Sequence, residues 1–289
     1  MRLATIETAV GRRLVALRND GYVDLNRTDP RIPPDLKSFL VMGKEAWVWA
    51  EEARIRGQAL DPEQARLLPP ILDPQKIICV GANYADHAQE SGMPVPSEPV
   101  IFCKFPTALC APEQPILLPP VATQVDYEAE LVVVIGRRGR NIPVEEAGEY
   151  IAGYCCGNDV SARDWQLHKP GGQWLLGKSF DTFAPVGPAL VSPDELPRPL
   201  HLSIQLRLNG QVMQSSNTRH LVFSPEKLIA HVSQVCTLEP GDLLFTGTPG
   251  GVGMARKPPV FLKAGDLLEV EIEGIGVLRN PVASYSQGE

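Results

Sequence analysis

The chain has 289 residues, 44% of them hydrophobic and 21% charged, which suffices for one large core, or for one large domain and a small one. A formal net charge of -7 argues against nucleic acid as a partner. Residues 1–70 are nearly neutral, with 11 Lys/Arg against 10 Asp/Glu, so the acidity sits in the remainder, with 16 against 24.

The N-terminal stretch MRLATIETAVGRRLVAL has no apolar run after its first basic residue. No segment approaches the roughly 18 apolar residues of a membrane span. Neither a secretory signal nor a membrane anchor is expected, and a cytoplasmic home follows. Cysteines 79, 103, 110, 155, 156 and 236 show no Cys-x-x-Cys pair and no metal-ligand rhythm, so they read as free thiols in a reducing compartment.

Residues 2–25 alternate short apolar runs with turn signals, and Asn19-Asp20-Gly21 reads as a hairpin turn. From Pro34 to Ala65 the pattern turns helical, placing Leu36, Leu40, Val41, Trp47 and Ala50 near one face, with Gly57 as the stop. Leu-Leu-Pro-Pro at 67–70 is a natural linker, which divides the chain into a small N-terminal α/β domain (1–70) and a larger, mainly β domain (71–289). In the larger part KIICVG, VIFCKF, ILLPP and GYCCGNDV read as strands and PVEEAGEY as helix-like. HLSIQLRLNGQVMQSSN reads as a hairpin turned by Asn209-Gly210. SPEKLIAHVSQV reads as a helix capped by Ser224 with Pro225 at its first position. The run from Gly247 to Gly253 lacks the Gly-Lys-Ser/Thr of a phosphate loop and suits either a plain turn or a close backbone approach to a ligand.

The chemistry centres on VDYEAELVVVIG, residues 125–136. Residues two apart in a strand share a face, so Glu128 and Glu130 stand side by side. They repel unless a cation lies between them. With Asp159 in GYCCGNDV they make an all-oxygen set that suits Mg2+ or Mn2+ ahead of Ca2+. The competing reading is an ordinary strand with both glutamates on a solvent face.

GANYADHAQE, VDYEAELVVVIG, NDVSARDWQ, GKSFDTFAPVGP and FTGTPGGVG, in this order, resemble the fumarylacetoacetate hydrolase superfamily over about residues 70–289. QWLLGKSFDTF and KPPVFLKAGD bring the chain nearest to the subgroup of fumarylacetoacetate hydrolase domain-containing proteins. The resemblance implies an α+β fold built on a mixed β-roll, a homodimer, and Mg2+ held by Glu128, Glu130 and Asp159. It implies Arg163, Gln166 and Thr248 as substrate contacts, Lys178 as a fixed cation for a developing enolate, and His87 with Glu90 as the base pair. It also implies a small 2-oxo acid substrate. His87 activating water would split an acylpyruvate at a C–C bond, which is the leading expectation. His87 shuttling a proton would instead tautomerise oxaloacetate or isomerise a hydroxymuconate-type acid, and decarboxylation of oxaloacetate is a further exit. A metal-dependent 2-oxo acid binding protein is the non-enzymatic alternative.

Overall fold

The computed structural model describes residues 1–61, 65–85 and 95–285. The fold is mainly β, as expected. A twelve-stranded mixed sheet runs in space through Gly21–Asp24, Gly11–Arg18, Arg2–Thr8, Ala184–Val191, Ile151–Asn158, Ala129–Ile135, Leu243–Phe245, Ile77–Gly81 and Val100–Lys104. A five-stranded sheet is built from Gln211–Asn217, Ser203–Leu208, Leu267–Ile272, Gly276–Ser284 and Ile116–Leu118. The first strand of the chain pairs with Ala184–Val191 (Leu3 opposite Leu190), so segment 1–70 extends the same sheet that carries the acidic motif.

The strand Ala129–Ile135 is central because it is buried on both faces, which is why its apolar run is continuous instead of alternating. Leu131, Val133 and Ile135 pack with Ile204, Leu206 and Val270 of the smaller sheet. Val132 and Val134 face a second core with Phe39, Leu40 and Ala46 from the N-terminal helices.

The helical pattern at 34–65 forms two helices, Leu36–Val41 and Lys44–Arg56, instead of one. Gly43 breaks it at φ +73°, and the change of direction leaves Val41 67% exposed while Leu36, Leu40 and Ala50 stay buried. Gly57 ends the second helix as expected. PVEEAGEY gives only turns and a short 3-10 segment, Ala147–Tyr150. Both hairpins form, with Arg18 opposite Gly21 and Leu208 opposite Gln211, and Ser224 caps the helix Pro225–Val235.

Two short helices, Arg163–His168 and Trp174–Lys178, cross closely at Gly177, where an added Cβ would lie 2.6 Å from the Gln166 backbone nitrogen. Backbone is the obstacle, so the clash has no cheap relief. Gly177→Ala is therefore expected to destabilise the protein by about 1–3 kcal/mol. Urea unfolding of the metal-free protein should show a lower midpoint with an unchanged slope.

Candidate active site

The acidic residues meet through strand register. Ala129–Ile135 and Ile151–Asn158 are antiparallel, with Glu130 opposite Gly157 and Ala129 opposite Asn158. One step further along the same ladder sets Glu128 opposite Asp159, and the Asp159 N–H donates to the Glu128 carbonyl at 2.9 Å. Opposed residues of an antiparallel pair point the same way, as do residues two apart in a strand. Glu128, Glu130 and Asp159 thus converge, with one carboxylate oxygen from each lying within 4.8 Å of the others, and all three are buried. The solvent-face reading of the two glutamates fails on this burial.

Cations surround two of the three acids. Lys178 Nζ donates to Glu128 Oε2 and to Asp159 Oδ2, both at 2.8 Å. Arg163 Nη2 lies 2.7 Å from Glu128 Oε1, and Lys104 Nζ lies 2.6 Å from Asp159 Oδ1, close ion pairs not aligned as hydrogen bonds. Among the described residues Glu130 has no such ion pair; its Oε2 accepts from the Gly247 N–H at 2.7 Å. Burial, reinforced by Asp159 and Glu128, pushes the Glu130 carboxyl well above its ordinary range. Burial opposes the charge of Lys178, but Asp159 and Glu128 outweigh it and hold the ammonium above its usual range. Arg163 behaves alike, with Asp126 and Glu128 outweighing burial.

Among the described residues, and counting Asp126, the cluster holds four carboxylates against Lys104, Arg163 and Lys178. The uncompensated charge falls on the acid without an ion pair, and a dication is what three convergent carboxylate oxygens of this kind suit. The residues present fit a divalent metal ion.

The other expected residues are placed as follows. Arg163 and Gln166 lie on one short helix, both buried, with Arg163 Nη1 donating to Gln166 Oε1 at 2.9 Å. Arg163 Nε donates to Asp126 Oδ2 at 2.9 Å, so the guanidinium is braced by two carboxylates. Thr248 is buried, and its hydroxyl accepts from Gln214 Nε2 at 2.8 Å. Glu128, Arg163, Gln166, Lys178 and Thr248 are among the residues lining a cleft of about 140 Å3. His87 and Glu90 lie outside the described residues. A larger hollow, about 1110 Å3 beside the helix Lys44–Arg56, contains none of the candidate residues. The chemistry, and not the size, locates the site.

Three residues that the motifs did not single out organise it. Asp126, fully buried, accepts from the N–H groups of Gly253 and Met254 at 2.7 and 3.0 Å as well as from Arg163. Lys104 donates to the carbonyls of Val160 and Phe183 at 2.9 and 2.7 Å and to that of Lys178. Gln214 ties the Ala129 N–H to Thr248. Asp126 was within reach of the alternation that exposed Glu128 and Glu130, since 126, 128 and 130 share parity.

The family model described as fumarylacetoacetate (FAA) hydrolase C-terminal matches residues 76–283. The chain belongs to the fumarylacetoacetate hydrolase family. Its relatives within the family include a Xenopus laevis protein named oxaloacetate tautomerase fahd2, mitochondrial, 51% identical over 90% of this chain and 82% of that protein. Among solved structures, a putative HpcE protein from Mycobacterium smegmatis superposes with a TM-score of 0.91 at 40% identity, covering 99% of this chain and 100% of that one. A 5-carboxymethyl-2-hydroxymuconate delta-isomerase from the same organism gives 0.78 at 37%, with the same coverage. The mitochondrial label in the Xenopus name departs from the cytoplasmic home expected for this chain. Among the described residues no helix is long and apolar enough to cross a membrane.

Glu130→Gln separates the two roles of that acid. A carboxyl whose folded pKa stands above its unfolded value binds more protons in the folded state, so metal-free stability falls as pH rises through that interval. The amide removes this slope. In EDTA at pH 8 the variant should melt about 2–4 °C higher than the wild type, the shift about 1 kcal/mol produces. It should also lose the stabilisation that Mg2+ gives the wild type. Differential scanning fluorimetry with and without Mg2+ checks both effects, and a variant that still gains stability from Mg2+ would remove Glu130 from the ligand set.

Proposed function

We propose that the protein is a Mg2+-dependent oxaloacetate keto-enol tautomerase. The observation that carries this reading is the position of Lys178, its ammonium 2.8 Å from both Glu128 and Asp159 and facing the cleft. A cation fixed there stabilises negative charge that develops on the 2-oxygen of a bound 2-oxo acid. Held above its usual pKa, it stays charged and serves as an electrostatic partner, not as the base. The name of the Xenopus relative supports the substrate.

A divalent ion at Glu128, Glu130 and Asp159 supplies Lewis-acid polarisation of the 2-oxo group when bound. Arg163, braced by Asp126 and Glu128, presents a rigid guanidinium beside that position, and Gln166 and Thr248 add polar contacts around the substrate head. In this reading His87, which the motif pairs with Glu90, takes a proton from C3 and delivers it to the 2-oxygen, so keto and enol interconvert with no net uptake of water. Mg2+ as the physiological ion, a homodimeric assembly and a small N-terminal domain at 1–70 belong to the same proposal, the family match itself beginning at residue 76.

Hydrolysis of an acylpyruvate, the leading expectation from the motifs, has less support than the tautomerase alternative, because the relative at 51% identity carries the tautomerase name. The M. smegmatis isomerase favours a second reading, isomerisation of a hydroxymuconate-type acid, which uses the same proton transfer.

NMR exchange of the C3 protons of oxaloacetate, with Mg2+ and with EDTA, tests the proposal. Acceleration only with metal is expected, and Lys178→Met should reduce it roughly 10²–10³-fold, the size typical for removing one charge-stabilising donor. Release of acetate and pyruvate from acetylpyruvate, with oxaloacetate exchange at the uncatalysed rate, would make the protein a hydrolase instead.

A further inference from the structure

The Gln214 amide is held between two backbone groups whose polarity leaves it one orientation. Its Oε1 accepts from the Ala129 N–H at 2.8 Å, and its Nε2 donates to the Pro249 carbonyl at 2.8 Å. A backbone N–H only donates and a carbonyl only accepts, so turning the amide over loses both bonds. The same Nε2 donates to the Thr248 hydroxyl oxygen at 2.8 Å, and Gln214 and Thr248 are both buried. A hydroxyl that accepts from an amide still has its own proton to give. Among the described residues that proton has no acceptor, and Thr248 lines the cleft while Gln214 stands behind it.

Gln166 is set in the same sense from another direction. A guanidinium has donors only, so the Gln166 oxygen turns to Arg163 Nη1 at 2.9 Å, and the NH2 group is left for the cleft that Gln166 lines. Asp126 anchors the Arg163 end of that relay. We propose that Gln214 is a positioning residue that acts through Thr248, holding the hydroxyl proton toward the cleft, so that Thr248 and Gln166 both offer donors and select ligand oxygens that carry no proton. Carboxylate, oxo and enolate oxygens are of that kind, whereas a protonated carboxyl sets a donor against a donor. The inference rests on the 2-oxo acid reading of the site and deepens it, since it says in which protonation state such an acid is held.

The test is a double-mutant cycle on the full chain at saturating Mg2+, read by titration calorimetry with oxalate, a small dianion whose oxygens all lack protons. Thr248→Val, which keeps the outline and removes the hydroxyl, should weaken oxalate about 10–100-fold, the range for losing one hydrogen bond to a charged acceptor. Thr248→Ser should stay within about threefold of the wild type. Gln214→Met should weaken oxalate about 5–10-fold with Thr248 in place, and less than about twofold once Thr248→Val has removed the hydroxyl, because the amide then has nothing to orient. Gln214→Glu keeps the side-chain shape and gives the same comparison if the methionine variant does not fold. A glutamine that only supports the fold would weaken oxalate equally in both backgrounds, and that additive result overturns the inference. Oxalate binding that Thr248→Val leaves unchanged also overturns it, with the 2-oxo acid reading still standing. A Mg2+-loaded wild type that binds no oxalate sinks that reading and the inference together.

Discussion

Everything at this site follows from bringing like charges together inside a protein. Glu128, Glu130 and Asp159 share a buried space in which burial, with Asp159 and Glu128, raises the cost of ionising Glu130. Three side chains answer that repulsion permanently: Lys178 bridges two of the acids, Arg163 pairs with Glu128, and Lys104 pairs with Asp159. Their number is one short once Asp126 is counted, and the deficit is concentrated on Glu130, the acid held by a backbone N–H alone among the described contacts. The protein thus neutralises the cluster far enough to fold, and leaves a charge that only a proton or a metal ion removes.

The same contacts that satisfy the charges also build the cleft. Asp126 accepts from Arg163 on one side and from the N–H groups of Gly253 and Met254 on the other, so one carboxylate ties the guanidinium to the turn beyond Thr248. Gly247 reaches Glu130 only because its own backbone, at φ +98°, runs against Asn83 and Val80, where a side chain would collide. Gly253 is confined in a like way between Asp126 and the Val260 carbonyl. The glycine-rich run from Gly247 to Gly253 thus reaches two of the buried acids through its backbone N–H groups.

The acidic triad was legible because two of its members obey the two-residue period of a strand and the third lies in a recognisable segment after the next strand. The hairpins, the capped helix Pro225–Val235 and the free cysteines were legible for similarly local reasons. Lys104 was not. It ends an apolar strand, and its meaning lies in Asp159 and in carbonyls 56 to 79 residues away, which no local pattern encodes. Gln214, whose acceptors lie 34 and 35 residues further on, was hidden in the same way, behind a hairpin that reads only as a hairpin. The helical pattern read over 34–65, with Gly57 as its stop, is broken at Gly43 because apolar spacing persists across the bend, and both resulting helices pack into one core.

The ladder that aligns Glu128 with Asp159 runs without interruption from Ala129 to Val134, and its one irregularity lies between Val134 and Ile135, at the end remote from the acids. A bulge of that kind takes up an unpaired residue at a local bend of the strand. That irregularity adjoins the connection between the two strands, residues 136–150, so the register at the acids is set by the regular ladder and not by the connection. A one-residue slip at the other end would rotate Glu130 into the apolar layer. The irregularity and the acids thus stand at opposite ends of one pair of strands, and the regular ladder between them keeps the acidic end in register.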